Sequence, residues 1–149
     1  MTIYRERLWP AVWLFLSTAL VIPASLLVFL PINETVGVVV AAVLYLGCVG
    51  LLLLAAPAVE VTSTEFVAGK ARVPLELVAS AAGFTGSEAS AERGQRLDAR
   101  AWLLIRGWID PVVRVELNDA NDPVPYWLVS TRRPDELIAA IDEAKRRRS

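Results

Sequence analysis

Two long stretches without a charged residue dominate the first part of the chain. Residues 8–33 form 26 consecutive uncharged positions, 19 of them apolar, and residues 35–59 form 25 more, 20 of them apolar. A helix rises about 1.5 Å per residue, so roughly 20 such residues cross a hydrocarbon core of about 30 Å. The chain is therefore predicted to begin with two transmembrane helices, over residues 8–30 and 36–58.

A cleaved signal peptide is the alternative interpretation of the first stretch. The apolar region of a signal peptide usually spans about 7–15 residues and ends in a small-residue cleavage site. The stretch here is longer and leads almost directly into a second apolar stretch, which favours a membrane span.

The segment between the two stretches predicts a tight turn. Pro31 resists helix continuation, Asn33 suits a turn, and the carboxylate of Glu34 is costly to place in lipid. Both ends of the resulting hairpin then emerge on one side. Basic residues are absent from the turn and lie beside the outer ends of the hairpin, at Arg5, Arg7, Lys70 and Arg72. The positive-inside rule predicts a multi-pass protein of the inner (plasma) membrane with both termini in the cytoplasm.

Small residues recur at regular spacing along both predicted helices. Such residues let membrane helices approach closely, and a spacing near 3.5 residues per turn implies a left-handed crossing. Chance recurrence in a segment rich in Ala and Gly is the alternative. The candidate helix-packing face consists of Ser17, Ala24, Gly37, Ala41 and Cys48. Pro23 is expected to kink the first helix.

Residues 60–149 form a second region, which is long enough for one small domain. Alternating or β-branched residues predict strands over residues 59–62, 65–68, 71–73, 113–117 and 126–130. Gly69 and Lys70 predict a hairpin turn between two of these strands. Residues 75–82 fit either a short helix or a strand, residues 83–94 predict a loop, and residues 99–109 predict a strand or a bent pair of strands.

The last element is predicted to be an amphipathic helix that starts at Pro134. Proline is favoured at the first helical position. Acidic residues follow in the first turn and basic residues occupy the last turn, an order that complements the helix dipole. Leu137 and Ile141 lie on one apolar face, so the helix is expected to pack on the predicted strands.

Strands closed by a C-terminal helix follow the order of a pleckstrin-homology-like (PH-like) barrel. Residues 59–62 (VEVT), 69–74 (GKARVP) and 126–137 (YWLVSTRRPDEL) resemble the membrane-anchored bacterial PH-like proteins. The whole chain resembles more closely an actinobacterial membrane family known as domain of unknown function 3093, through the two apolar stretches, the GKARVP turn, and residues 4–8 (YRERL), 122–127 (DPVPYW) and 130–134 (STRRP).

The predicted fold class is an α+β membrane protein. Residues 1–59 are predicted to form an N-terminal transmembrane hairpin of two helices. Residues 60–149 are predicted to form a small β-rich, cytoplasmic PH-like domain that is closed by the C-terminal α-helix and ends in a basic tail. The family resemblance implies no reaction and no partner.

Basic residues near the final helix are the candidate contacts for lipid or a partner. Residues 60–144 carry 14 acidic and 9 basic side chains, a net charge of −5, which argues against nucleic acid and leaves the tail as the basic feature. Each basic residue near an anionic leaflet gains about 1 kcal/mol. Local salt bridges and helix capping are the alternative role. The candidates are Arg132, Arg133, Lys145, Arg146, Arg147 and Arg148.

The composition disfavours an enzyme. The chain has no histidine and one cysteine, Cys48, which lies in an apolar stretch. Triads that use histidine, His metal centres and intrachain disulfides are excluded, and no glycine pattern predicts a phosphate loop. No catalytic, metal-binding or cofactor-binding residue and no cofactor is predicted. We expect a non-enzymatic adaptor or accessory subunit that contacts membrane lipids and a membrane protein partner or a second copy; an anionic-lipid-responsive module that uses the basic tail is the alternative.

Overall fold

A computed structural model describes residues 1–148 of the chain. The chain divides into two compact units, one of Met1–Leu8 with Pro57–Ser149 and one of Trp9–Ala56. The predicted division placed residues 1–59 together, and the structure differs because strand β1 (Thr2–Arg7) belongs to a sheet. The alternation of buried Tyr4 and Glu6 with exposed Arg5 and Arg7 is a strand pattern that the neighbouring apolar stretch obscured.

The unit of Trp9–Ala56 contains helices α1 (Val12–Ala19), α2 (Val21–Phe29) and α3 (Glu34–Leu54). The stretch from Val12 to Phe29 and helix α3 are each long and apolar enough to cross a membrane. Asn33 caps α3 by accepting a hydrogen bond from the Val36 N–H at 3.1 Å, as expected for a turn residue.

The interruption between α1 and α2 lies at Leu20, three residues before Pro23. Proline has no N–H to offer the carbonyl four residues earlier, which is that of Ala19, and its ring crowds that carbonyl. At this point the Leu20 N–H donates to the carbonyl of Ser17, three residues earlier, at 3.2 Å. This turn is tighter than that of an α-helix, in which the N–H donates to the carbonyl four residues earlier. Pro23 therefore disturbs the helix on the side that precedes it.

The packing face of the hairpin differs from the predicted face on the first stretch. Gly37 and Ala41 are the buried residues of α3, and Cys48 is half-buried. On the first stretch Ser25 is buried, whereas Ser17 and Ala24 are exposed, so the spacing of small residues near 3.5 residues per turn selected the wrong face there. That spacing presumes one continuous helix, and the tight turn at Leu20 breaks the continuity.

The first sheet of the other unit has the antiparallel order β1-β2-β3-β4. Its further strands are β2 (Ala58–Thr62), β3 (Glu65–Ala68) and β4 (Ala71–Pro74). The predicted hairpin between β3 and β4 is confirmed, with Gly69 at φ 64°, a conformation that favours glycine. β1 and β2 pair although the whole helical unit separates them in sequence, and the Leu8 N–H donates to the Pro57 carbonyl at 2.9 Å.

The second sheet has the order β5-β7-β8-β6. After a short 3-10 turn (Leu75–Leu77) come β5 (Val78–Phe84), helix α4 (Gly86–Arg93), β6 (Trp102–Leu104), β7 (Val112–Leu117) and β8 (Tyr126–Ser130). The predicted strands at β7 and β8 are confirmed. β6 pairs with β8 in parallel and the other neighbours are antiparallel.

Two segments differ from their predictions. Residues 83–94 are not a loop, because most of them form α4, where Ala89 is fully buried and Asp110 Oδ2 accepts the Gly86 N–H at 2.7 Å. These contacts with residues distant in sequence override the low helix propensity of a Gly- and Ser-rich segment. Residues 99–109 contain only the three-residue strand β6, since Arg106 and Gly107 end the apolar run.

Helix α5 (Pro134–Arg146) confirms the predicted amphipathic helix. Its buried side chains are Leu137, Ala140, Ile141 and Ala144. They join residues of both sheets in one core, where the Phe66 and Trp127 rings lie 5.8 Å apart and the Trp102 and Trp127 rings 4.8 Å apart. The chain therefore combines two apolar N-terminal helical stretches, Val12–Phe29 and Glu34–Leu54, with a mixed α+β unit.

Candidate functional site

A buried polar cluster joins the two ends of the sheet-containing unit. Glu6 of β1 is only 6% exposed. Its Oε2 atom accepts hydrogen bonds from the Tyr4 hydroxyl at 2.8 Å and from the Thr131 hydroxyl, and its Oε1 atom accepts the Arg132 N–H at 3.0 Å. We call Tyr4, Glu6, Thr131 and the Arg132 N–H the Glu6 cluster.

The Glu6 cluster brings together two of the motifs on which the family resemblance depends. YRERL supplies Tyr4 and Glu6, and STRRP supplies Thr131 and the Arg132 amide. The Thr131 hydroxyl also accepts the Arg133 N–H at 3.1 Å, which fixes the segment that leads into α5. Because each polar atom named here has a partner, the cluster positions the first strand against the start of the last helix.

Arg133 covers the outer side of this cluster. Its guanidinium lies 5.1 Å from the centre of the Tyr4 ring, donates to Glu136 at 2.8 Å and contacts the Arg5 carbonyl at 3.4 Å. Burial raises the pKa of Tyr4 to about 12, and the Glu6 carboxylate raises it as well, although the contact with Thr131 opposes this rise. A neutral Tyr4 is therefore the stable form over the physiological range.

We expect the Tyr4→Phe variant to lack a phenolate transition near pH 12. The folded pKa of about 12 lies above the ordinary value of 10.0, so the stability that Tyr4 contributes is fully present below about pH 10 and is lost as the pH rises towards 12. The measurement is the phenolate absorbance of the full chain in detergent, with the variant spectrum subtracted. A difference titration centred near pH 10 would contradict the buried position of Tyr4.

The structure places the six basic candidates at opposite ends of α5. Arg132 and Arg133 are exposed and precede the helix, next to β1. Residues 145–148 lie at the other end, about 20 Å away for a helix of this length. The fold therefore keeps the two groups of basic residues apart, as their positions before and at the end of the predicted helix imply.

Most of the basic tail contacts the unit that it follows. Lys145 Nζ donates to the carbonyls of Val78 and Ala79 at 2.8 and 2.9 Å. Arg148 donates to the Thr64 carbonyl at 3.1 Å and lies 3.4 Å from a Glu76 oxygen. Arg147 pairs with Glu143, and Arg146 is exposed.

Lys145 and Arg148 line a cavity of about 400 Å³, together with Leu75, Glu76, Val78, Ala79 and Asn118. The cavity lies at the C-terminal end of α5, where the helix dipole is negative, and it includes the Glu76 carboxylate. The two cations already bond backbone and carboxylate oxygens there. This arrangement is better suited to capping the C-terminal end of α5 than to binding an anion.

A second charged cluster was not predicted. The Glu92 side chain is only 3% exposed and contacts Arg96 at 3.4 Å and Arg114 at 3.3 Å, while the Arg114 guanidinium lies 4.1 Å from the Tyr126 ring. This cluster around Glu92 connects α4 to β7 and β8. Arg96 lies in the turn that follows α4, and Arg114 lies on β7, so no local sequence pattern indicated that both would contact Glu92. Among residues 1–148, no group of three or more His, Cys, Asp or Glu side chains is placed to hold a metal ion.

The comparisons with known proteins identify one family. No curated protein and no solved structure matches the chain significantly. The profile of a family described as "Protein of unknown function (DUF3093)" matches residues 3–141. The matched range contains the helical unit, both halves of the Glu6 cluster and most of α5, and it ends before the basic tail. The chain therefore belongs to the DUF3093 family of proteins of unknown function.

Proposed function

We propose that the protein is a multi-pass protein of the inner (plasma) membrane that presents a cytoplasmic PH-like domain as a non-enzymatic adaptor or accessory subunit. The observation that carries the proposal is the insertion of the helical unit between the paired strands β1 and β2. An anchor inserted in this way is attached to the domain at two points, because both of its ends continue into the same sheet.

The side chains of the helical unit support membrane insertion. Helices α1, α2 and α3 expose many large apolar side chains, which water would solvate poorly and lipid would accommodate. Those more than 60% exposed include Val12, Leu16, Leu27, Val43, Leu51 and Leu54. A cleaved signal peptide fits less well, because cleavage after the first stretch would remove β1 and with it Glu6.

The pairing of β1 with β2 also supports the proposal that both ends of the helical hairpin lie on the same side of the membrane. The Leu8 N–H and the Pro57 carbonyl are 2.9 Å apart, so the chain leaves the sheet and returns to it at the same place. The basic residues Arg5, Arg7, Lys70 and Arg72 all belong to this unit. By the positive-inside rule, the unit with both termini lies in the cytoplasm.

The sheet-containing unit supports a binding role. Two four-stranded sheets closed by α5 suit a PH-like domain, and the buried polar clusters are used to fasten elements together. The absence of histidine and the position of Cys48 in α3 give little support to catalysis. Fold alone does not define a partner, so the partner has to be found by experiment.

Two measurements on the full chain test this proposal. We expect the protein to remain in the membrane pellet after an alkaline carbonate wash, because apolar helices are not released by it. We then expect a second membrane protein to co-purify in mild detergent in a constant ratio to the chain. Release by carbonate would contradict the anchor, and reproducible purification as a lone monomer would contradict the accessory role.

Anionic lipid is the alternative ligand, and the same preparation tests it. Exposed Arg146 and the Arg132 and Arg133 pair favour this alternative. Lipids extracted from the purified chain should then be enriched in phosphatidylglycerol relative to the membrane, and an Arg146→Gln, Arg147→Gln variant should lose the enrichment. Equal enrichment in both proteins would exclude the tail as the lipid contact.

A further inference from the structure

We propose that anionic phospholipid headgroups bind the end of the sheet-containing unit at which the chain enters and leaves the helical unit. Leu8 and Pro57 mark this end, which we call the exit end, and a hydrogen bond of 2.9 Å joins their backbone groups. The inference rests on the membrane insertion proposed above. It assigns the lipid contact to cations other than those of the basic tail.

Two segments that are distant in sequence meet at the exit end. The turn between β3 and β4 lies there, because the Gly69 N–H donates to the carbonyl of Ala58, the residue after Pro57, at 2.8 Å. Lys70 is the next residue of this turn and is exposed. The end of β6 lies there as well, because a Cβ atom on Gly69 would be 3.5 Å from Leu104 and 3.6 Å from Pro57.

Arg106 is held in the loop that follows β6. Its N–H donates to the Ser130 hydroxyl at 2.9 Å, and Ser130 immediately precedes the threonine of the Glu6 cluster. The Arg106 guanidinium donates to the carbonyl of the preceding residue at 2.9 Å and lies 6.0 Å from the centre of the Trp108 ring. The loop therefore brings a cation to the end of the unit at which β1 also ends.

Lys70 and Arg106 are the cations on which the proposal depends. Neither forms an ion pair with a carboxylate in the part of the chain that the structure describes, residues 1–148. Arg7 and Arg132 are exposed at the same end and add positive charge. Basic residues beside an anionic leaflet are attracted by its negative surface potential.

The carboxylates at the exit end only partly offset this charge. Asp110 forms an ion pair with Arg93 at 3.3 Å, and Glu136 forms one with Arg133 at 2.8 Å. Asp135, in the first turn of α5, is exposed. Because the two pairs are neutral within themselves, positive charge is in excess at the exit end.

The basic tail lies at the opposite end of the same unit. Arg148 donates to the carbonyl of Thr64, which belongs to the turn between β2 and β3, and this turn is at the far end of β2 from Pro57. The length of α5 places the tail about 20 Å from Arg132. Since the Debye length is about 8 Å at physiological ionic strength, the tail contributes little attraction to a leaflet at the exit end.

A lipid leaflet is the partner that the chain itself brings to this end. The residues that follow Leu8 and precede Pro57 continue into the apolar helices, so the headgroups of an inserted chain lie where those helices leave the bilayer. The contact then forms within one tethered molecule and needs no separate encounter. An acidic protein would have to reach the same cations from solution.

Electron spin resonance of spin-labelled lipids tests the proposal. The full chain is reconstituted in phosphatidylcholine vesicles that contain a trace of spin-labelled phosphatidylglycerol or spin-labelled phosphatidylcholine. The motionally restricted fraction of each label measures its association with the protein. We expect the protein to prefer phosphatidylglycerol at least about threefold, and to lose most of this preference in 0.5 M salt.

Matched variants assign the preference to one end of the unit. A Lys70→Gln, Arg106→Gln variant should lower the preference at least about twofold, whereas an Arg146→Gln, Arg147→Gln variant, which removes the same charge from the tail, should keep it. The charge-retaining Lys70→Arg, Arg106→Lys variant should also keep it. Lys70→Gln alone changes only an exposed turn residue, so it gives a smaller loss in a chain whose core is untouched.

The outcomes separate this inference from the proposal on which it rests. No preference for phosphatidylglycerol, an equal loss in the two glutamine variants, or a loss confined to the tail variant would overturn the exit end as the lipid contact. A carbonate-resistant chain would still have its anchor in each of these cases. Release of the chain by carbonate would overturn both proposals.

Discussion

Replacing Glu6 with alanine is expected to lower the free energy of unfolding of the sheet-containing unit by about 4 kcal/mol. The variant leaves the hydroxyls of Tyr4 and Thr131 and the N–H of Arg132 without their shared acceptor. Glu6 is almost fully buried, so water cannot readily take its place. The loss also detaches β1 from the segment that leads into α5.

Thermal unfolding of the full chain in detergent, followed by tryptophan fluorescence, measures this effect. A loss of about 4 kcal/mol corresponds to a lowering of Tm by about 20 °C in a domain of this size. Arg5→Ala is the matched control, because Arg5 is the neighbour of Glu6 on β1 and forms an exposed ion pair with Glu60 of β2. Loss of this ion pair should cost less than about 1 kcal/mol. Equal effects of the two substitutions would show that the buried carboxylate is not the fastening group.

Replacing Phe66 with alanine is expected to have an effect of similar size, about 4 kcal/mol. Phe66 is fully buried on β3 and its ring lies 5.8 Å from that of Trp127 on β8. The side chain therefore joins the first sheet to the second. Its removal leaves a cavity between two sheets whose strands cannot easily move together, because hydrogen-bonded neighbours hold them.

The control for Phe66 is its neighbour on the same strand. Val67 points to the opposite face of β3 and is half-buried, so Val67→Ala should cost about 1 kcal/mol or less. Denaturant unfolding gives both values, and the fluorescence of Trp127 should change in the folded state of Phe66→Ala only. A Phe66→Ala variant as stable as Val67→Ala would contradict the packing of the two sheets against each other.

The elements with a strong local pattern could be predicted from the sequence. The two apolar stretches, the alternating strand β7 and the amphipathic helix α5 each follow from the periodicity of their own residues. Strand β1 and helix α4 could not be predicted in this way, since each depends on contacts with distant residues. β1 pairs with β2 across the helical unit, and α4 is held by the contact with Asp110 and by the apolar cluster that buries Ala89.

In the candidate site, too, the residues with a local sequence signal could be predicted and those that depend on distant contacts could not. Arg132 and Arg133 were selected by charge, which a sequence displays directly, and the structure does place them beside β1. Glu6 was not selected, because one acidic residue between two arginines looks like part of the solvated segment that flanks the first apolar stretch. Its importance arises only where Thr131 and the Arg132 amide approach it from the other end of the chain.

The pairing of β1 with β2 sets an order of assembly during synthesis. β1 leaves the ribosome before its partner strand β2, which follows only after the whole helical unit has been made. Closing so long a segment has an entropic cost, which an antiparallel helical hairpin reduces by bringing its own ends together. Once the helical hairpin has formed, the first and second strands of this sheet are neighbours, so their pairing no longer requires the closure of a long loop.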